Sequence, residues 1–182
     1  MKKLSKGEKL KFQLSFALSH SPKLLLLDEP AANFDRDFRK KFMKILTEFV
    51  SDGEKSVVIA THLTDDLDRI ADYVTFMEDE TIRFSMDKDQ LEESFRLIKG
   101  SSLNCNRIDK KYVIYREDGK YSSSILVDYK KMKNDNMSSY IESERQNISD
   151  RKITVEIPKI EDIMYYIVKG SETVKKEDRR YV

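Results

Sequence analysis

Leu24-Leu25-Leu26-Leu27-Asp28-Glu29-Pro30 is the stretch on which the reading of this chain turns. A continuous apolar run this short reads as a strand buried on both faces, the pattern of a central parallel strand, although leucine is a poor strand former. Two carboxylates then stand at its C-terminal end, where α/β folds place their ligands. Asp28 can hold Mg²⁺ through water, because Mg²⁺ takes few carboxylates and keeps much of its hydration shell. Glu29 can point at a water poised to attack a phosphoryl group. A strand that ends in a solvated acidic turn fits the same residues, and this segment alone leaves the two readings even.

Upstream, Pro22 separates the strand from a helical pattern with Leu10, Leu14, Ala17 and Leu18 on one face. Ser5 can cap that helix, and Leu4-Ser5-Lys6-Gly7-Glu8 forms its start. Exposed N–H groups at a helix N-terminus favour an anion, and Gly7 would let a phosphate approach the backbone closely. An ordinary cap explains the same residues, and by itself this pentapeptide reads as one. His20, beside Pro22 in a turn, reads as structural.

Downstream, Asp35 starts a helix with Phe38, Phe42, Ile45, Leu46 and Phe49 on one face, ended by Asp52-Gly53. Ser56 to Ala60 reads as a second buried strand, followed by Thr61-His62 and a helix from Thr64 to Ala71. His62 would emerge on the same sheet edge as Asp28, where an imidazole can donate to a terminal phosphate. A lone histidine after a strand is more often solvated or structural. Tyr73–Met77 and Thr81–Ser85 read as a hairpin around Glu78-Asp79-Glu80. The helix–strand alternation predicts an α/β layer.

Taken in order and at their separations, these segments make the chain similar to the ABC ATPase family. Leu4 to Glu8 resembles the signature motif, commonly LSGGQ, and Leu24 to Glu29 resembles Walker B. Pro30-Ala31-Ala32-Asn33-Phe34-Asp35 resembles the D-loop region, and Thr61-His62 the switch histidine. The match covers residues 3 to 99. Within the family, LSKGE and the string Ala71 to Phe76 look most like exporter-type ATPases, a subgroup that often carries a C-terminal extension ending in a short helix. Lys159 to Gly170 is similar to that ending.

The resemblance implies a partial P-loop NTPase core of ABC type, α/β with parallel strands and helices, over residues 1–99. A smaller α+β extension would follow over 100–170, and a frayed charged tail over 171–182. In the extension, Tyr112–Tyr115 and Tyr121–Val127 read as strands around Asp118-Gly119, Lys130–Asp150 as a surface helix and loop, and Ile153–Ile157 as a further strand. A last helix comes after Pro158.

By the same resemblance, Glu29 and His62 would be catalytic, polarising the attacking water and contacting the γ-phosphate. Asp28 would organise Mg²⁺, and Asp35 would couple the two halves of a dimer. Ser5, Lys6, Gly7 and Glu8 would complete the nucleotide site of a second ABC ATPase domain. The expected cofactors are ATP and Mg²⁺. The expected partners are that second domain and a membrane subunit, which would hold the chain on the cytoplasmic face of the membrane.

The family's P-loop, G-x-x-x-x-G-K-[ST], has no counterpart here: Gly7, Gly53, Gly100, Gly119 and Gly170 are too far apart to form one. Only Met1, Lys2 and Lys3 precede the signature, so the adenine-contacting aromatic and the Q-loop are missing as well. A truncated or split form, inactive alone, is therefore expected, with an exposed sheet edge and apolar surface where the missing half would pack. Lys6 and Glu8 depart from the commoner signature, as do Ala31, Ala32, Asn33 and Phe34 from the commoner PTSGLD. These departures leave Asp28, Glu29 and His62 in place.

Composition narrows the alternatives. With 34 basic and 33 acidic residues the net charge is +1, which gives no electrostatic footprint for nucleic acid or anionic lipid. Half of an SMC-like DNA-repair ATPase would need a coiled coil leading into the signature. An ABC-type translation factor would carry two complete cassettes. A non-catalytic protein that pairs with an intact ABC ATPase stays open. Cys105 is the single cysteine, so no internal disulfide can form. No apolar run approaches the ~20 residues of a membrane span, and Lys2, Lys3, Lys6, Glu8, Lys9 and Lys11 interrupt any signal-peptide core.

Overall fold

In a computed structural model the described residues are 4–65, 67–139, 141–142 and 153–178. They fall into two compact units, Met1–Ile70 and Ala71–Val182.

The first unit opens with α1 (Lys6–Ser19), capped by Ser5. Strand β1 (Leu24–Asp28) is next, then α2 (Arg36–Val50) with Asp35 as its cap, and β2 (Ser56–Ala60). β1 and β2 pair in parallel, from Leu24 opposite Ser56 to Asp28 opposite Ala60. Leu14 of α1, Leu25 of β1 and Phe42 and Leu46 of α2 meet in one core with Ala31 and Phe34. Leu27, Val57 and Ile59 pack against the same core.

The expectation that β1 is buried on both faces is corrected here. Leu25 is 4% exposed, whereas Leu24 is 50% and Leu26 71% exposed, and Val58 beside them is 56% exposed. Successive strand residues point to opposite faces, and in this unit α1 and α2 both contribute to the core on the Leu25 face. The expected helix from Thr64 to Ala71 is also shorter than read: α3 is a single turn, Leu67–Ile70.

The second unit begins with the antiparallel hairpin β3 (Tyr73–Glu78) and β4 (Thr81–Asp87). Its two turn residues, Asp79 and Glu80, have φ of 48° and 60°, the left-handed pair that a two-residue hairpin turn needs. Next come α4 (Lys88–Ser94), β5 (Phe95–Gly100), α5 (Ser102–Cys105) and a 3₁₀ turn at Lys110–Tyr112. The chain continues through β6 (Val113–Asp118), β7 (Ser123–Asp128), α6 (Tyr129–Asn134), β8 (Ile153–Glu156) and α7 (Ile160–Asp178).

The four strands β5 to β8 form one antiparallel sheet in the order β6-β7-β5-β8. Among the described residues, and setting aside the 3₁₀ turn, the elements β5, α5, β6, β7, α6 and β8 follow the order of the split βαβ arrangement. Cys105, Tyr129 and Met132 pack with Ile98, Ile125 and Val127 in one core. Leu97 and Leu126, which alternate with them along β5 and β7, pack in another with Tyr166 of α7. Gly170 permits this second packing, because a Cβ there would stand 2.8 Å from the backbone oxygen of Ile114 on β6.

The unit boundary lies at Ile70/Ala71, not near Gly100 as the composition change suggests. Phe95–Gly100 pairs with both β7 and β8, so the expected boundary would cut through the end of a sheet strand. The expected frayed tail is also helical as far as Asp178, and 179–182 lie outside the described residues. The segment read as Lys130–Asp150 contains most of α6, while residues 140 and 143–150 of it lie outside the described residues. Among the described residues no helix is long and apolar enough to cross a membrane.

Candidate active site at the strand ends

Parallel pairing brings the ends of β1 and β2 side by side, with Asp28 opposite Ala60. The backbone then turns sharply at Glu29, whose φ of 43° is left-handed and costly for a residue with a Cβ. Its N–H donates to the Ala60 oxygen at 2.8 Å, so the ladder continues for one more bond.

From that position the Glu29 side chain reaches the loop after β2. Thr61 Oγ1 donates to Glu29 Oε2 at 2.9 Å. The His62 backbone N–H donates to Oε1 at 3.0 Å, and His62 Nδ1 lies 2.7 Å from the same oxygen. An ionised carboxylate only accepts, so Nδ1 must carry the proton, and in a neutral imidazole Nε2 is left as an acceptor. The hydrogen bond from His62, backed by that from Thr61, holds the Glu29 carboxyl below its ordinary value. The His62 ring is mostly exposed and Glu29 about half-buried.

Asp28 ends β1 and is exposed. It offers one carboxylate beside the Glu29 turn, which fits Mg²⁺ as this ion is usually held, by one or two carboxylates with waters and substrate phosphates completing the shell. Asp28 would be the protein ligand, and the ion would supply charge neutralisation at phosphate oxygens.

The turn before α1 is a reciprocal capping box. Ser5 Oγ accepts from Glu8 N at 3.2 Å, and Glu8 Oε2 accepts from Ser5 N at 2.8 Å. The Ser5 N–H holds the Glu8 carboxyl below its usual range. Lys6 is exposed beside this turn, and the backbone oxygen of Asn33 would lie 3.3 Å from a Cβ on Gly7. The signature-like turn and the D-loop-like segment are therefore neighbours. Lys11 reinforces this contact, its ammonium lying 4.0 Å from the Phe38 ring centre. Asp35 Oδ1 accepts from Phe38 N at 2.8 Å, and this bond lowers the Asp35 pKa.

Glu29 and His62 thus meet directly, while Ser5 to Glu8 form a second cluster beside Asn33. His20 is used locally, with Nδ1 2.9 Å from the Phe16 oxygen and its ring edge-on to Phe16. The participant that sequence reasoning passed over is Thr61, quoted only as the neighbour of His62. A hydroxyl one residue before a histidine at a strand end was the available signal.

Comparison with known proteins adds to this geometry. The chain is 34% identical over 96 residues to the ABC transporter ATP-binding protein YtrB of Bacillus subtilis (strain 168), a match covering 52% of this chain and 32% of that protein. It is 32% identical over 107 residues to the energy-coupling factor transporter ATP-binding protein EcfA2 of Streptococcus agalactiae serotype Ia, covering 59% and 38%. Over about half of its length, then, the chain is similar to ABC transporter ATP-binding proteins. The tungstate uptake system ATP-binding protein TupC of Peptoclostridium acidaminophilum also matches this chain, at 34% over 76 residues, covering 42% and 36%. The chain spans roughly a third of the length of these relatives. No family model matches it. A crystal structure described as a cobalt transport ATP-binding protein superposes with a TM-score of 0.41 and 18% identity, covering 69% of this chain and 43% of that one.

Proposed function

We propose that this chain supplies the signature and hydrolysis elements of an ATP-hydrolysing subunit that powers a membrane transporter. The bonded Glu29–His62 pair at the ends of two parallel strands carries the reading. Glu29 would orient a water for attack on the γ-phosphate, and His62 would hold the carboxylate until nucleotide arrives. Positioning and charge stabilisation supply most of the catalysis in such a transfer.

With Nδ1–H given to Glu29, a neutral His62 has no proton to offer a phosphate through Nε2. His62 must therefore turn toward the phosphate or carry both protons during turnover. Either change loosens or recharges the contact with Glu29, which ties nucleotide arrival to activation of the carboxylate.

Among these 182 residues nothing forms a P-loop. The phosphate cradle would come from polypeptide outside them, and the 182-residue chain by itself is assigned no turnover. The exposed Leu24, Leu26 and Val58 face is where such polypeptide would pack. Ser5 to Glu8 would close the nucleotide site of a second ABC domain. The assembly would sit against a membrane subunit on the cytoplasmic face, and the exporter-type reading rests on LSKGE and the Ala71–Phe76 string.

One observation favours a second reading, in which the chain pairs with an intact ABC ATPase without turning over nucleotide itself. The Glu8 carboxylate occupies the Ser5 N–H, a donor that a phosphate would otherwise find at the start of α1. Mg²⁺-dependent ATP hydrolysis, measured with the P-loop-bearing part present, separates the two. Loss of turnover in Glu29→Gln supports the hydrolytic reading, and unchanged turnover supports the pairing one.

A further inference from the structure

We infer that Thr61 is a positioning residue, setting both the direction of the Glu29 carboxylate and the path of the loop that bears His62. This rests on the hydrolytic reading of Glu29 given above. The Thr61 hydroxyl works in two directions at once: it donates to Glu29 Oε2 at 2.9 Å and accepts from the Leu63 N–H at 3.1 Å. A hydroxyl, with one donor and two acceptor lone pairs, can do both. The side chain is half-buried, and β-branching restricts its χ1.

The division of labour between the carboxylate oxygens gives this contact its consequence. Oε1 is held by His62, through the backbone N–H and Nδ1. If the imidazole turns to a phosphate, the Nδ1 contact is lost. The Thr61 bond to Oε2 persists through that movement, because it comes from a different residue and a different oxygen. Thr61 thereby keeps Glu29 aimed while His62 leaves, and its bond to Leu63 holds the loop at the pivot.

Two substitutions separate the hydroxyl from the methyl group. Thr61→Val keeps shape and branching without the hydroxyl, and Thr61→Ser keeps the hydroxyl without the methyl. Amide hydrogen exchange at His62 and Leu63, measured by NMR on the full chain, should rise on the order of tenfold in Thr61→Val. The β2 ladder amides should stay unchanged, and Thr61→Ser should resemble wild type. Wild-type exchange in Thr61→Val overturns the inference. So does equal loosening in Thr61→Ser, which would assign the effect to packing.

In the ATPase assembled with its P-loop-bearing part, Thr61→Val should lower kcat on the order of tenfold or more, with KM for ATP little changed. Thr61→Ser should restore it. A wild-type assembly without ATP turnover would sink the hydrolytic reading, while the exchange comparison still decides whether Thr61 positions the loop. Turnover in wild type with kcat retained in Thr61→Val would overturn the Thr61 inference alone.

Discussion

Glu29 and His62, 33 residues apart in sequence, are joined through one carboxylate oxygen that takes both the backbone N–H and Nδ1 of the histidine. The parallel register of β1 and β2 makes this meeting possible, and the left-handed turn at Glu29 aims the side chain. The consequence can be read from the imidazole itself. Nitrogen-15 spectra of the neutral ring should show the Nδ1–H tautomer in wild type. In Glu29→Gln the population should move toward the Nε2–H form. The same tautomer in both proteins would mean that the carboxylate does not set it.

The apolar face formed by Leu24, Leu26 and Val58 should drive self-association of the isolated chain. Leu26→Lys and Val58→Lys lie on that exposed face and should cost little stability, within about 0.5 kcal/mol. Sedimentation should show association in wild type and a monomer in the double variant. A monodisperse wild-type monomer would contradict this expectation.

Gly170 is the close-approach point between α7 and β6. Alanine favours a helix interior over glycine by about 1 kcal/mol, yet here its Cβ would meet a backbone oxygen that cannot rotate away. Overpacking of this kind costs roughly 1–3 kcal/mol. The clash should prevail, so Gly170→Ala should lower the thermal midpoint of the second unit. A higher midpoint would show that helix propensity prevails instead.

Asp135 gives the second unit a defined acid response. Tyr112 OH donates to its Oδ2 at 2.8 Å, and Lys111 Nζ lies 3.1 Å from the same oxygen. The tyrosine first and the lysine second hold the Asp135 carboxyl below its ordinary value of 3.8. A lowered carboxylate contributes stability that is complete above the unfolded value and is lost as pH falls through the folded one. Asp135→Asn should therefore be less stable than wild type near neutrality. The gap should close below pH 3.8, and a gap independent of pH would refute the assignment.

The site was more legible in the sequence than the fold around it. Leu24 to Glu29 and Ser56 to His62 declared two strands together with the polar groups at their ends, because an apolar run that stops at polar residues marks a strand end. The partial exposure of β1 was not legible, since Leu26 and Leu25 are the same residue type and only the position of the helices tells the faces apart. β5 was hidden for a different reason. Arg96 and Lys99 break its apolar pattern, and no glycine or proline separates it from α4. Yet Arg96 is buried, with its guanidinium over the Tyr129 ring and bonded to the Glu92 and Phe95 oxygens. The order β6-β7-β5-β8 depends on pairings between distant segments, which local periodicity does not encode.

The most direct test of the account is calorimetry of Mg·ATP with the purified 182-residue chain, alongside Glu29→Gln. The expected result is no binding by either protein, because the residues proposed for hydrolysis are present without the cradle that would hold the phosphates. Clear 1:1 binding by the chain would contradict it, and would mean that another segment takes the place of the P-loop.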